Sequence, residues 1–160
     1  MHLNNTNDHH LRLPRRQHAF TLVELLVTVA LAAVLAAIAY PAYTSHVKRV
    51  RVQTAITDMQ LISTWVERYV SDHGMAPATL ADAGMQKTDP WGQPYQYLRM
   101  SDASVGQVRK DRSLHPLNTD FDLYSMGPDG RTASPLTAAA SQDDIIRAGN
   151  GSYFGPASAF

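Results

Sequence analysis

With 160 residues and no cysteine, the chain has the size of one domain and excludes a disulfide framework or a thiolate metal site. Its formal net charge is zero, from 14 basic and 14 acidic residues. Beyond residue 19 the balance is −2 (11 basic against 13 acidic), which leaves no electrostatic basis for strong nucleic-acid binding.

The first 19 residues carry Arg12, Arg15 and Arg16 against Asp8 alone. From Phe20 to Tyr43 the only strongly polar side chain is Glu24, and the 19 residues from Leu25 onward hold no charge. At about 1.5 Å per residue such a run nearly crosses a hydrocarbon core of roughly 30 Å. Arg15 and Arg16 in front of it place the N-terminus in the cytoplasm and the remainder in the periplasm or outside. Three other readings compete: a buried core helix, a plain single-pass anchor, and a secretory signal cut near Ala37-Ile38-Ala39. An acid inside the apolar run sits poorly with a signal peptide.

The ordered stretch Ala19-Phe20-Thr21-Leu22-Val23-Glu24, followed by an apolar run and then Pro41, resembles the N-terminus of type IV pilins and type II secretion pseudopilins. In that family a basic leader ends at a small residue, usually Gly, where this chain has Ala19. The resemblance implies that prepilin peptidase cuts between Ala19 and Phe20 and methylates the new amino group of Phe20. It also gives Glu24 a purpose. A lone carboxylate in an apolar setting must neutralise or find a partner. In a filament, Glu24 of one subunit meets the N-terminal amine of a neighbour, which sets axial register; breaking a buried pair of this kind costs about 3–5 kcal/mol. The simpler reading is an acid favoured by the helix dipole, worth about 0.3–1 kcal/mol, and both can hold. Pro41 is read as a kink, with the end of the helix as the alternative.

After Pro41 the pattern becomes periodic. Val52, Ala55, Met59, Ile62, Val66 and Tyr69 recur at spacings of three and four, which marks one buried helix face. Leu61 and Trp65 are expected to widen that face, while Lys48, Arg49, Arg51, Asp58, Glu67, Arg68 and Asp72 mostly point elsewhere. Asp72-His73-Gly74 supplies a stop, so the helix is expected from Phe20 to Asp72, on the order of 80 Å. The organisation read from this is a leader over 1–19, a membrane and filament-core helix over 20–43, an amphipathic periplasmic helix over 44–73 and a globular head over 74–160.

In the head, residues 74–93 read as a loop with a short turn over Thr79–Ala83. Pro94 to Met100 and the group Phe121, Leu123 and Tyr124 read as strands, and residues 101–119 as a polar surface loop. Ile145, Ile146, Tyr153 and Phe154 are expected to pin the tail to the sheet. The fold class is therefore α+β, a long N-terminal helix on a small antiparallel sheet.

Two head segments, Asp89–Leu98 and Asp122–Gly130 with Asp143-Asp144-Ile145 after it, resemble those of the major pseudopilins of type II secretion. That resemblance implies one calcium ion held by the carbonyl of Met126 and the side chains of Asp129, Asp143 and Asp144. Calcium takes six to eight oxygens, usually with several carboxylates. Here the loop between the parts, Arg131–Gln142, contains no acid. Pro128-Asp129-Gly130 is also a turn signal in its own right, and Asp143 and Asp144 could instead cap a short helix.

No histidine pair has metal-ligand spacing, and no nucleophile or phosphate-loop motif occurs, so no enzymatic activity is expected. The family resemblance implies self-assembly into a helical filament in contact with other pseudopilins and an inner-membrane assembly platform. It also implies residence in the bacterial inner membrane with the head in the periplasm. The alternatives are a type IV pilin for adhesion, motility or DNA uptake, and a membrane-anchored periplasmic enzyme or binding domain. Pilins commonly close their C-terminal region with a disulfide, which this chain cannot form.

Overall fold

The computed structural model describes residues 20–160 apart from residues 105 and 113. The leader, and with it Ala19, lies outside the described residues. Two compact units meet after Ala42, the second being Tyr43–Phe160.

Helix α1 runs over Leu22–His73. Its start is chemical: Thr21 is the cap, and its hydroxyl accepts the backbone N–H of Glu24 at 3.1 Å. Thr21 and Glu24 have the spacing of a capping box. Its stop is Gly74 at φ +75°, whose N–H donates to the Val70 carbonyl at 2.8 Å. Pro41 lies inside the helix and does not end it.

In the second unit, helical spacing turns Ala55, Met59, Ile62 and Val66 inward, each fully buried. They pack on Phe121, Leu123 and Ile145 of the sheet, with Leu80, Ala83 and Tyr95 closing the flank. Fully burying side chains such as Met59, Ile62 and Val66 is worth about 1.5–3 kcal/mol each. Two expectations for this helix are corrected. Leu61 and Trp65 face solvent, 47% and 41% exposed, because the sheet covers the helix face of Ala55, Met59, Ile62 and Val66 and they lie off it. Asp58 is buried instead: its carboxylate accepts Lys87 Nζ at 2.5 Å and the Tyr95 hydroxyl at 3.1 Å. The desolvation of Tyr95 and the charge of Asp58 both push that phenol far above its ordinary pKa.

The sheet has four antiparallel strands in sequential order: β1 Gln96–Arg99, β2 Phe121–Ser125, β3 Ile145–Ala148 and β4 Tyr153–Pro156. Tyr97 faces Leu123 across the first ladder, and Ile146 faces Gly155 across the last. Asp89 anchors the preceding loop: its carboxylate accepts the N–H groups of Trp91 and Gln93 at 3.0 and 2.8 Å and the Ser125 hydroxyl at 2.5 Å. Strand alternation sends Phe121, Leu123 and Ile145 to the helix side. It sends Tyr124, Ile146 and Ala148 to the opposite side, where Leu117, Leu136 and Ala157 cover them.

That second core corrects the reading of residues 101–119 as a surface loop. Val108, Arg109, Leu117 and Asn118 are all buried. The helix covers one face of the sheet, so the long connections must cover the other.

Arg147 lies on the helix side of β3 and is almost fully buried. Its guanidinium donates to both Asp120 oxygens at 2.8 and 2.6 Å, to the Phe121 carbonyl at 3.0 Å and to the Ser63 hydroxyl of α1 at 3.2 Å. It also stacks 3.9 Å over the Phe121 ring. Burial pulls the Asp120 carboxyl upward, but hydrogen bonds from Arg147 and from the Phe121 N–H outweigh it and hold it below the usual range. A carboxylate lowered on folding contributes stability above its unfolded pKa and loses it as pH falls through the folded one.

Two predictions follow from this packing. The difference in melting temperature between the wild type and Asp120→Asn, measured on detergent-solubilised protein, is full above about pH 5 and shrinks toward zero as pH falls below the carboxylate range. In the turn after β2, Gly127 sits at φ +65° with the Asp143 carbonyl against the place a Cβ would occupy. Gly127→Ala therefore destabilises the head by more than about 2 kcal/mol in urea unfolding.

Candidate functional site

Two regions carry the chemistry. The first is the apolar segment of the first unit. Over Leu22–Ala42 every residue is exposed, including Leu25, Leu26, Val29, Leu31, Val34, Leu35 and Ile38 at 60%, 60%, 61%, 61%, 59%, 69% and 68%. An 18-residue window here has a mean hydropathy of 2.6. Among the described residues α1 is the one helix long and apolar enough to cross a membrane. A contiguous apolar surface of this kind is stable only against lipid or other protein. Phe20 precedes the helix and is 78% exposed, and Glu24 sits in its first turn as the sole acid of the segment. The bond to Thr21 engages the Glu24 backbone and leaves its carboxylate to other partners.

The second region is the turn that follows β2 together with the start of β3. Met126 and Gly127 leave the sheet, and Gly127 N–H donates to the Ser125 hydroxyl at 3.1 Å. Asp129 closes its own turn, with one carboxylate oxygen accepting the Arg131 N–H at 2.8 Å. The Asp129 N–H in turn reaches an Asp143 carboxylate oxygen at 3.3 Å. Asp144 faces elsewhere. It is fully buried, and one oxygen accepts Arg109 Nη2 at 2.5 Å and the Thr132 hydroxyl at 2.6 Å. Burial pushes the Asp144 carboxyl up, against the lowering effect of Thr132 and Arg109.

The residues read as calcium ligands are thus divided. Asp129 and Asp143 are tied to each other through a backbone bond, and Asp144 is committed to a guanidinium. Among the described residues no three acidic or histidine side chains gather where they could hold a metal ion. This arrangement does not supply the several convergent carboxylates that calcium prefers. The helix-capping reading of Asp143 and Asp144 gives way to a strand, since β3 begins at Ile145.

Several polar residues here escaped sequence reasoning. Asp122 is buried on the far side of the sheet, accepting the Arg109 N–H at 2.9 Å and Asn118 Nδ2 at 2.8 Å. Desolvation raises its pKa against those bonds. Arg109, Asn118 and Arg147 lie far apart in the chain, and nothing local in their segments marks them as buried. The one available signal was Asp120-Phe121-Asp122, acids flanking the apolar position of a strand.

The head also has an open cleft of about 670 Å³ at the end of α1, lined by residues including Val70, Met75, Arg99, Met100, Asp120 and Phe121. Two of its charged groups are ion-paired, Arg99 with Asp102 at 2.6 Å and Asp120 with Arg147 at 2.6 Å, and Glu67 accepts the Ser63 hydroxyl at 3.0 Å.

Residues 14–40 match the family described as the prokaryotic N-terminal methylation motif. The chain is 30% identical to the type II secretion system core protein G of Pseudomonas aeruginosa, over 73% of this chain and 87% of that one. It is 28% identical to the core protein G of Aeromonas hydrophila, over 82% and 92% of the two chains. It is 36% identical to the type IV major pilin protein PilE of Neisseria gonorrhoeae, over 81% of each. No solved structure matches it. An apolar, unburied N-terminal helix with a capped Glu24, an antiparallel head and likeness to these relatives over most of their length agree: the chain belongs to the family of type IV pilins and type II secretion pseudopilins.

Proposed function

We propose that this chain is a structural subunit of a type II secretion pseudopilus. The observation that carries the reading is the exposed apolar helix with one acid in its first turn, in a chain similar over most of its length to proteins named core protein G. The physics runs from the surface outward. Before assembly, lipid covers the apolar segment and stores the subunit in the inner membrane, N-terminus in the cytoplasm and head in the periplasm. Prepilin peptidase cuts between Ala19 and Phe20 and methylates the new amine. The processed helix then leaves lipid for the packed helices of neighbouring subunits. That exchange is nearly neutral in apolar burial, so direction and register must come from polar terms.

Glu24 supplies such a term. In the packed core its carboxylate meets the Phe20 amine of a neighbour, so two charges that are costly alone become a pair. The capping bond from Thr21 holds the first turn in shape for that encounter. The filament grows on an inner-membrane assembly platform with other pseudopilins, and its role is mechanical, driving export of folded proteins, rather than enzymatic. Pro41 serves as a point where the helix can adjust its curvature, since its ring removes one backbone hydrogen bond. A type IV pilin is the second reading, favoured by the 36% identity to PilE. Long surface fibres would select it, whereas a short periplasmic filament selects the pseudopilus.

Intact mass of the membrane-extracted protein tests processing: the expected species lacks residues 1–19 and carries one added methyl group on Phe20. An uncut N-terminus rejects the assembly reading. Glu24→Ala is expected to remain in the membrane fraction yet yield no normal filaments by electron microscopy. Wild-type filaments from that variant reject the register role of Glu24.

A further inference from the structure

We propose that the guanidinium of Arg109 is the resident cation of the Asp143–Asp144 turn, in the place where the family resemblance implies calcium. Arg109 is 3% exposed and Asp144 fully buried. Their contact at 2.5 Å is one side of a closed triangle. Arg109 Nη1 donates to the Thr132 hydroxyl at 2.5 Å, and that hydroxyl donates to the same Asp144 oxygen at 2.6 Å. The guanidinium lies 4.2 Å over the Tyr124 ring, and the Arg109 backbone N–H is held by Asp122 at 2.9 Å.

One side chain therefore ties together four parts of the head: the 101–119 connection, strand β2, the loop at Thr132 and the entry to β3. A structural metal would perform that task through oxygen ligands, and here a cation built into the chain does it through the Asp144 carboxylate and the Thr132 hydroxyl. Charge supports the substitution. Of the two adjacent acids, Asp144 meets Arg109 directly while Asp143 accepts the Asp129 N–H, and Arg109 is always charged, so the buried acid needs no ion from the medium. The loop between Arg131 and Gln142 carries no acid, so it adds no further carboxylate to the turn. The planar fork matters as well as the charge. It reaches Thr132 and Asp144 with two nitrogens while its face lies on Tyr124, which a lysine ammonium cannot do.

Two atoms keep the site from being a fully saturated network. Arg109 Nε and the second Asp144 oxygen, Oδ1, are buried without a hydrogen-bond partner. Loss of the guanidinium would leave the Asp144 carboxylate with Thr132 alone in an apolar setting.

The test is thermal unfolding of the full-length protein in detergent, followed by near-ultraviolet circular dichroism, in millimolar calcium chloride and in EGTA. The wild type is expected to melt at the same temperature, within about 1 °C, in both. A fall of about 5 °C or more on chelation would overturn the proposal. Arg109→Gln is expected to lower the melting temperature by about 10 °C or more, with Arg109→Lys recovering little of it. A wild-type melting temperature for Arg109→Gln also overturns it. If Arg109→Gln gives no folded protein, the double variant Arg109→Gln/Asp144→Asn decides. Recovery of a folded head supports the pairing, because the stranded carboxylate is gone, and failure to recover rejects it.

Discussion

A buried arginine organises the head. Arg147 stands on the short strand β3, between the sheet and α1, and is bound at once to Asp120, the Phe121 carbonyl, Asn118 and Ser63. Taking a guanidinium out of water is expensive, and only a set of well-placed acceptors offsets the cost. That condition constrains everything near it. Asp120 must end the connection into β2 at one point, Phe121 must present its ring to the guanidinium, and the helix must bring the small polar Ser63 between Met59 and Val66. A purely apolar interface would allow the helix to slide along the sheet. A buried charge with directional partners specifies one register, which suits a head that must hold the same relation to its supporting helix in every copy of a filament.

The same logic recurs on the opposite face of the sheet. Leu117, Leu136, Ile146, Ala148 and Ala157 make a small core there, covered by long connections rather than by a helix. Small apolar clusters under loops leave much backbone to be ordered, at a conformational cost of about 1–2 kcal/mol per residue. Polar anchors compensate. Asn118 donates to Asp122 and to the Arg147 carbonyl at 2.8 and 2.9 Å, while its own oxygen accepts the Asn150 N–H at 2.9 Å. Arg109 and Asp144 serve the neighbouring end. The head thus relies on two buried arginines, one on each side of the sheet.

The two units divide the physical work. The head pairs most of its buried polar groups and buries its own core, so its packing is internal. The segment before Tyr43 buries nothing of itself and is incomplete without lipid or other copies. A polar head that is stable alone, joined to a helix that is not, is what a subunit needs if it is to be stored in a membrane and later withdrawn into a filament. Glu24 is the sole acid of that segment, and the proposed register role falls on it for that reason.

What could be read in the sequence follows the length of each periodic signal. The apolar run, Glu24, Pro41 and the stripe from Val52 to Tyr69 extend over many turns, and so the sequence alone determined the long helix, its buried face and its family. The strands β1 and β2 were visible through Tyr97, Phe121 and Leu123. For β3 and β4 only the anchors Ile145, Ile146, Tyr153 and Phe154 were legible: Ile145-Ile146 is an apolar pair without alternation, and Gly155 and Pro156 disguise the second strand. Only the tertiary structure decided that Asp58 turns inward while Trp65 turns out, that the 101–119 connection is partly core, and that Asp144 meets Arg109. Each of these joins residues distant in the chain, Asp144 and Arg109 by 35 positions. A charge on a sequence is read as solvated until something remote desolvates and pairs it, and that partner is supplied by the fold.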